Sequence, residues 1–261
     1  MTMIFELVVL VLVAVMFLGM LGVIELGRRL GASRLAKDSD GLAKGVGASE
    51  GAVFGLLGLI IAFTFSGAAS RFEARRHLIT EEANDIGTAF LRIDLVPEEA
   101  RPELRSLFRN YMDLRLSTFA NVADQSATDA KLAETAKLQD SIWKTAMAAT
   151  HRPDVTGRPE VLVVPALNAM FDITTTRKAA TLNHPPMAIF LLLAGLSLVS
   201  SLLVGYGMSA NKHRTWLHAI VFAAITSLSI YVIIDLEFPR LGLIRVDAAD
   251  QPMIDLRKTM Q

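Results

Sequence analysis

The 261-residue chain contains no cysteine. Without thiols it has no disulfide framework, no Cys-ligated zinc or iron–sulfur site and no thiol nucleophile. Neither sign of charge is in excess, because 26 Lys and Arg balance 26 Asp and Glu. Nucleic-acid binders ordinarily carry a basic excess or stripe, so that class of partner is not expected. Catalytic signatures are missing too. No phosphate-loop or dinucleotide-type glycine motif occurs, and no Gly-x-Ser-x-Gly or His-Glu-x-x-His. The five histidines, His77, His151, His184, His213 and His218, are scattered without ligand spacing. No enzymatic activity, metal or cofactor is expected.

What the chain has in quantity is apolar residues, 52% of the total. Soluble proteins carry about 45–50%. The excess is concentrated in four runs. Residues 3–27 are broken only by Glu6 and Glu25, while 51–70, 187–209 and 216–234 contain no charge at all. A helix crossing the hydrocarbon core needs about 20 residues, so each run is read as a transmembrane span. The first is expected to be a retained span rather than a signal peptide. No Lys or Arg precedes it, and its apolar stretch exceeds the roughly 7–15 residues of a signal core.

The fold class expected is therefore an all-α membrane protein. Transmembrane helices cover 3–27, 51–70, 187–209 and 216–236. A basic loop spans 28–50, a helical extramembrane domain 71–185 is inserted between the second and third spans, and a C-terminal tail covers 237–261. Seven Lys and Arg lie in the loops on one side and seven near the membrane on the other, so the positive-inside rule assigns no orientation.

Within 71–185 the spacing predicts helices. One runs on from the second span to Ile93 without a proline. A break follows at Leu95–Pro97, and Pro97-Glu98-Glu99 opens the next helix, with acids favouring its positive N-terminal dipole. Leu104, Leu107, Phe108, Tyr111, Leu114 and Phe119 then recur at helical spacing. A turn is expected at 124–128, a third helix at 132–149 anchored by Ile142 and Trp143, a loop at 151–158 and a fourth helix at 161–182, which Pro165 would kink or delay.

The most informative pattern crosses the membrane boundary. Gly51, Gly55, Gly58, Ala62, Phe65, Ala69, Phe72, Arg76, Ile79, Ala83, Ile86, Phe90 and Ile93 follow one another at intervals of four and three. That is a heptad seam along one helix of about 64 Å at 1.5 Å per residue. Its membrane half is made of small residues, which allow close helix approach. Such a seam packs either within its own chain or against further copies around an axis. Arg76 is the one charge on it, beside Arg71 and Arg75. A charge on a buried seam needs a partner, and Glu73 is the nearest. The other reading is a basic cluster at a pore mouth, attracting anions or anionic lipid heads. Thr64, Ser66 and Ser70 are expected to bond back to their own helix. Glu81, Glu82 and Asp85 form an acidic cluster with no recognisable metal-site pattern.

The stretch 55–94, GLLGLIIAFTFSGAASRFEARRHLITEEANDIGTAFLRID, resembles the signature of a bacterial integral membrane family of unknown function called bestrophin-like. The matching positions are Phe65, Ser66, Ser70, Arg71, Phe72, Arg75, Arg76, Glu82, Ala83, Asn84, Ile86, Gly87, Thr88 and Ala89. The segment PALNAMFDITTTRKAA, with Asn168, Asp172 and Arg177, is also similar, as is DLEFPRLG, with Asp235, Pro239 and Gly242. The resemblance implies the architecture of bestrophins, pentameric anion channels whose second helix lines the pore. It further implies a multi-pass protein of the bacterial inner membrane, a homo-oligomer in the lipid bilayer handling inorganic ions. On that reading Gly58, Ala62, Phe65, Ala69, Phe72 and Arg76 line the pore, and Arg71, Arg75 and Arg76 bind anions or lipid heads. The alternative is a membrane-anchored sensor or scaffold whose helical domain binds a partner or ligand.

Overall fold

The computed structural model describes residues 2–35, 46–120, 125–209 and 216–260. It is 89% helical, and no strand occurs among the described residues. The elements are α1 (Thr2–Leu35), α2 (Val46–Arg92), α3 (Arg101–Ala120), α4 (Gln125–Thr150), α5 (Glu160–Leu182), α6 (Met187–Met208), α7 (Trp216–Glu237) and α8 (Gln251–Thr259). Four segments, within Met3–Arg34, Gly47–Leu95, Glu160–Met208 and Trp216–Glu237, hold helices long and apolar enough to cross a membrane. Their most apolar windows are only 17–28% buried within the chain. In water that exposure would be prohibitive; in lipid it is the normal state of a spanning helix. The chain is an all-α, multi-pass membrane protein.

The helices group into two compact units. One contains 2–70 and 184–238, the other 71–183 and 239–260. In the first, α1 packs along α6 and α7. The α1–α6 contact is a backbone contact. A Cβ at Gly27 would run into the Leu202 carbonyl, one at Gly205 into the Ile24 carbonyl, and one at Gly31 into Ser209. On α6 and its capping residue, Ser197, Ser201, Gly205 and Ser209 recur every four residues, the small-xxx-small spacing that lets helices approach without intervening side chains. Ser197 and Ser201 keep a hydrogen bond on burial: Ser197 Oγ donates to the Leu193 carbonyl at 2.7 Å and Ser201 Oγ to that of Ser197 at 2.8 Å, whereas the buried Ser209 Oγ has no partner among the described residues.

The same contact explains why α1 continues to Leu35, into the stretch where a loop is expected from 28. Gly27 and Gly31 both face α6, and Glu25 accepts from Arg28 and Arg29 at 2.8–2.9 Å, which offsets part of the basic charge along the helix. At its other end that loop is helical from Val46. Residues 36–45 of the loop, and the turn expected at 210–215, lie outside the described residues.

The second unit is a helical bundle with its own core. Ile79, Ile86, Leu104, Phe108, Tyr111, Ile142, Leu167, Met170 and Met253 are buried together. Phe90 sits 5.9 Å from Phe108 and Trp143 6.5 Å from Phe171, ring centroid to centroid. The apolar stripe of α3 faces this core. The turn expected at 124–128 is replaced by α4 from Gln125; Asp124 lies outside the described residues. The reason is that 125–131 contains no Gly or Pro, and Lys131 Nζ donates to the Ser117 carbonyl at 2.7 Å, tying the first turns of α4 to α3. The 151–158 loop turns on Gly157, whose φ of 86° is free of steric cost only for glycine. Pro165 lies inside α5, which begins before it at Glu160.

The C-terminal segment folds onto this bundle. Met253 of α8 is buried, Leu256 packs where a Gly87 side chain would stand, and Arg257 donates twice to Asp113 at 2.7 and 2.9 Å. Arg240 forms a bidentate pair with Asp250 at 2.5 and 2.7 Å.

Candidate functional site

The heptad stripe of α2 passes through two environments. In the membrane unit Gly51, Gly55, Gly58, Ala62 and Phe65 are exposed, and Ala69 is half-buried. A Cβ added at Gly51, Gly55 or Gly58 would meet nothing within 4 Å. Gly58, Ala62 and Phe65 line one wall of an open, largely apolar groove of about 390 Å3, with Ile61, opposite Leu228, Ser229 and Val232 of α7. Thr64 turns from this stripe and donates to the Ile60 carbonyl at 2.6 Å.

In the bundle unit the stripe opens with Phe72, half-buried, and Arg76, exposed. Arg76 Nη1 donates to Glu73 at 2.8 Å, and its guanidinium lies 6.0 Å from the centre of the Phe72 ring. From there Ile79, Ala83, Ile86 and Ile93 are buried in the core, with Phe90 packed against it. The three arginines are not equivalent. Arg75 is buried, and its Nε and Nη2 donate to the carbonyls of Ala180 and Asn183 at 3.1 and 3.0 Å. Cations at a helix C-terminus satisfy its unpaired carbonyls and its dipole, so Arg75 fastens α2 to the end of α5. Arg71 is half-buried, leaving Arg76 the most open of the three.

A second constellation lies deeper in the bundle. Glu82 is fully buried and accepts from two arginines. Arg115 Nε reaches its Oε1 at 2.5 Å and Nη2 its Oε2 at 3.2 Å, while Arg177 Nη1 donates to Oε2. Arg177 Nη1 also lies 3.7 Å from Met253 Sδ, and Tyr111 Oη donates to the Met170 carbonyl at 3.4 Å. Burial pushes the Glu82 carboxyl up, but the guanidiniums of Arg177 and Arg115 outweigh it and hold the group below the usual carboxylate range. Asp85, one turn on, moves the opposite way: burial raises it first, then the charges of Glu81 and Glu82. The acidic cluster read from the sequence is thus divided, with Glu82 turned inward to arginine. Among the described residues no group of three His, Asp or Glu side chains could hold a metal.

The Glu82 carboxylate joins α2 to α3 and α5, and Arg177 extends the contact to Met253 of α8, a connection that sequence reasoning missed. A signal existed. Arg115 continues the buried face of α3 set by Leu104, Phe108 and Tyr111, and a charge on such a face calls for a buried counter-charge.

Comparison with curated proteins and with solved structures finds no match. The model of the bestrophin-like domain, by contrast, matches residues 11–250, from α1 to the turn before α8, and the chain belongs to the bestrophin-like family.

Proposed function

We propose that this protein is an oligomeric ion channel, selective for anions, in which copies of α2 surround a central axis. The observation that carries the reading is the uncovered glycine face of α2. Each glycine in a helix interior costs about 1 kcal/mol relative to alanine, and small residues repay that cost when another helix approaches closely. On α1 and α6 close approach within the chain accounts for Gly27, Gly31 and Gly205, which meet backbone or side chain of the partner helix, while Gly22 and Gly195 meet nothing within 4 Å. At three successive stripe positions of α2, Gly51, Gly55 and Gly58, no described residue comes within 4 Å of an added Cβ. A second copy of the chain would.

In this arrangement Gly58, Ala62, Phe65, Ala69, Phe72 and Arg76 line the axis. Phe65 and Phe72 form apolar constrictions that gate by dewetting. Arg71, Arg75 and Arg76 set a positive potential, Arg76, exposed though paired with Glu73, being the member open to a hydrated anion and Arg75 acting through its field. The protein resides in the bacterial inner membrane, assembles as a homo-oligomer of the pentameric kind, and acts by conduction rather than catalysis. The test combines mass in detergent with current in planar bilayers. A ring of several copies with anion-selective conductance is expected; a monomer that stays silent across voltage and ion type would sink the proposal.

One observation favours the second reading, a membrane-anchored sensor or scaffold. The 71–183 and 239–260 segments form a unit with its own core, as a binding module would. A monomeric, non-conducting protein whose bundle captures a soluble ligand would support it.

A further inference from the structure

Most exposed arginines of the bundle unit meet carboxylates. Arg76 pairs with Glu73, Arg152 with Asp154, Arg158 with Glu160, Arg245 with Asp247 and Arg257 with Asp113. The first half of α3 is different. Arg101, Arg105 and Arg109 stand four residues apart on one face and, with Glu98 and Pro102, line an open cleft of about 400 Å3. Like charges at this spacing repel and weaken a helix by about 0.2–0.5 kcal/mol per pair, and two such pairs follow in succession.

The local counter-charges are few. Asp94 accepts from Arg105 Nη2 at 2.7 Å, and Arg101 Nε donates to the Val96 carbonyl at 2.8 Å, which pins that side chain to the preceding turn. Arg105 Nε is buried and has no acceptor among the described residues. Arg109 pairs with no carboxylate among them. Two nearby acids are turned to other groups, Glu99 to Arg152 at 3.3 Å and Glu103 to Thr145 at 3.4 Å. The cleft also opens at the N-terminal turns of a 20-residue helix, where the dipole is positive.

We propose that this arginine-lined cleft binds a phosphate-type oxyanion, either free phosphate or the phosphate head of a lipid. Guanidinium is suited to it. Its planar fork places two N–H donors on two oxygens of one anion. A bound dianion relieves the repulsion among Arg101, Arg105 and Arg109 and gives Arg105 Nε an acceptor. The cleft has the size of a small-ligand site. The inference is independent of conduction, since it concerns residues outside the proposed pore face.

The experiment uses the full chain in nanodiscs of phosphatidylcholine. Inorganic phosphate is titrated at constant ionic strength, with chloride as the reference anion, and the thermal midpoint is followed by Trp fluorescence. A parallel set of nanodiscs contains phosphatidic acid and no free phosphate. One of the two is expected to raise the midpoint, as ligand binding to the folded state must: the first arm identifies free phosphate, the second a lipid head. Arg109→Gln should weaken binding about tenfold, the loss of one charge-assisted hydrogen bond. Arg109→Lys should fall between it and the wild type. Arg158→Gln, the same charge change outside the cleft, should bind as the wild type does. If Arg105→Gln fails to fold, Arg109→Gln still decides, because Arg109 makes no ion pair among the described residues. The proposal is overturned if neither phosphate nor phosphatidic acid moves the midpoint. It is equally overturned if Arg158→Gln weakens binding as much as Arg109→Gln, which would mark a diffuse ion atmosphere.

Discussion

The two halves of α2 share one helix and one heptad periodicity, yet they meet different surroundings. From Ile79 to Ile93 the stripe is buried by helices of its own bundle. From Gly51 to Phe65 it is open. A heptad seam states what a face can pack against, and not whose helix does the packing. In the bundle half the covering surface is local, and it demands large side chains because water is the alternative. In the membrane half the alternative is lipid, which is as apolar as leucine. Exposure there costs nothing, and only close packing gives small residues a purpose. The same periodicity therefore encodes a folding surface in one half and an assembly surface in the other.

The largest expected effect tests the buried half. Glu82→Gln leaves Arg115 and Arg177 without their shared carboxylate in a site closed to water. Breaking a buried pair costs about 3–5 kcal/mol. Trp143 lies in the bundle and Trp216 at the start of α7, so single-tryptophan variants read the two units separately. The Trp143 transition should fall steeply and the Trp216 transition should hold. Equal shifts in both would break the distinction between the units. The pH dependence follows from the same group. Glu82 has a depressed folded pKa, so its stabilisation is fully present above the ordinary carboxyl value of 4.5 and is lost as pH falls below it. Ile86→Ala comes next, with a core truncation cost of about 2–5 kcal/mol, read by the same Trp143 transition. Phe65→Ala, its counterpart in the open half, should leave both transitions in place and change the oligomer instead.

How much of this was legible depends on how local the cause is. The four spans follow from composition, and the continuity of α2 from an unbroken period without proline. The uncovered face of α2 was not legible, because Gly51 and Ile79 carry the same period and differ only in their neighbours. The α1–α6 contact was invisible for a related reason: Gly27 and Gly205 are distant in sequence, and neither looks unusual among membrane residues. For the buried cluster, Glu82 and Arg177 stood out as letters of a motif. Their meeting did not, because 95 residues separate them. Arg75 illustrates the opposite hazard. Its position beside Arg76 made it look like part of a basic patch, whereas its donors are spent on the carbonyls that end α5.

Gly58→Ala has a smaller effect, but its sign is diagnostic. A Cβ there meets no described residue within 4 Å, so the substitution removes a glycine penalty of about 1 kcal/mol and stabilises an isolated copy. If another copy packs on this face, the added methyl holds two backbones apart and the assembly dissociates. The measurement is the oligomer distribution in detergent beside the thermal midpoint. A variant that is more stable and still fully assembled would show that this face meets lipid alone.

Arg76→Gln should have the smallest effect on stability. Its pair with Glu73 is exposed, with about half of the arginine and 64% of the glutamate side chain open to solvent. Pairs of this kind contribute about 0–1 kcal/mol, and the three-residue spacing holds both groups on one helix, so no tertiary contact depends on them. A charge that stabilises so little leaves its field as the property to test. In the proposed channel that field acts on permeant ions, and its loss should lower the ratio of anion to cation permeability while the stability read at Trp143 changes by no more than about 0.5 kcal/mol, as for surface substitutions generally. Salt separates the field from a structural cause. The permeability difference should shrink as ionic strength rises and the screening length falls from about 10 Å at 0.1 M to about 3 Å at 1 M. A difference that persists at high salt would place the origin of selectivity in pore shape, and Phe65 and Phe72 would then be the residues to substitute.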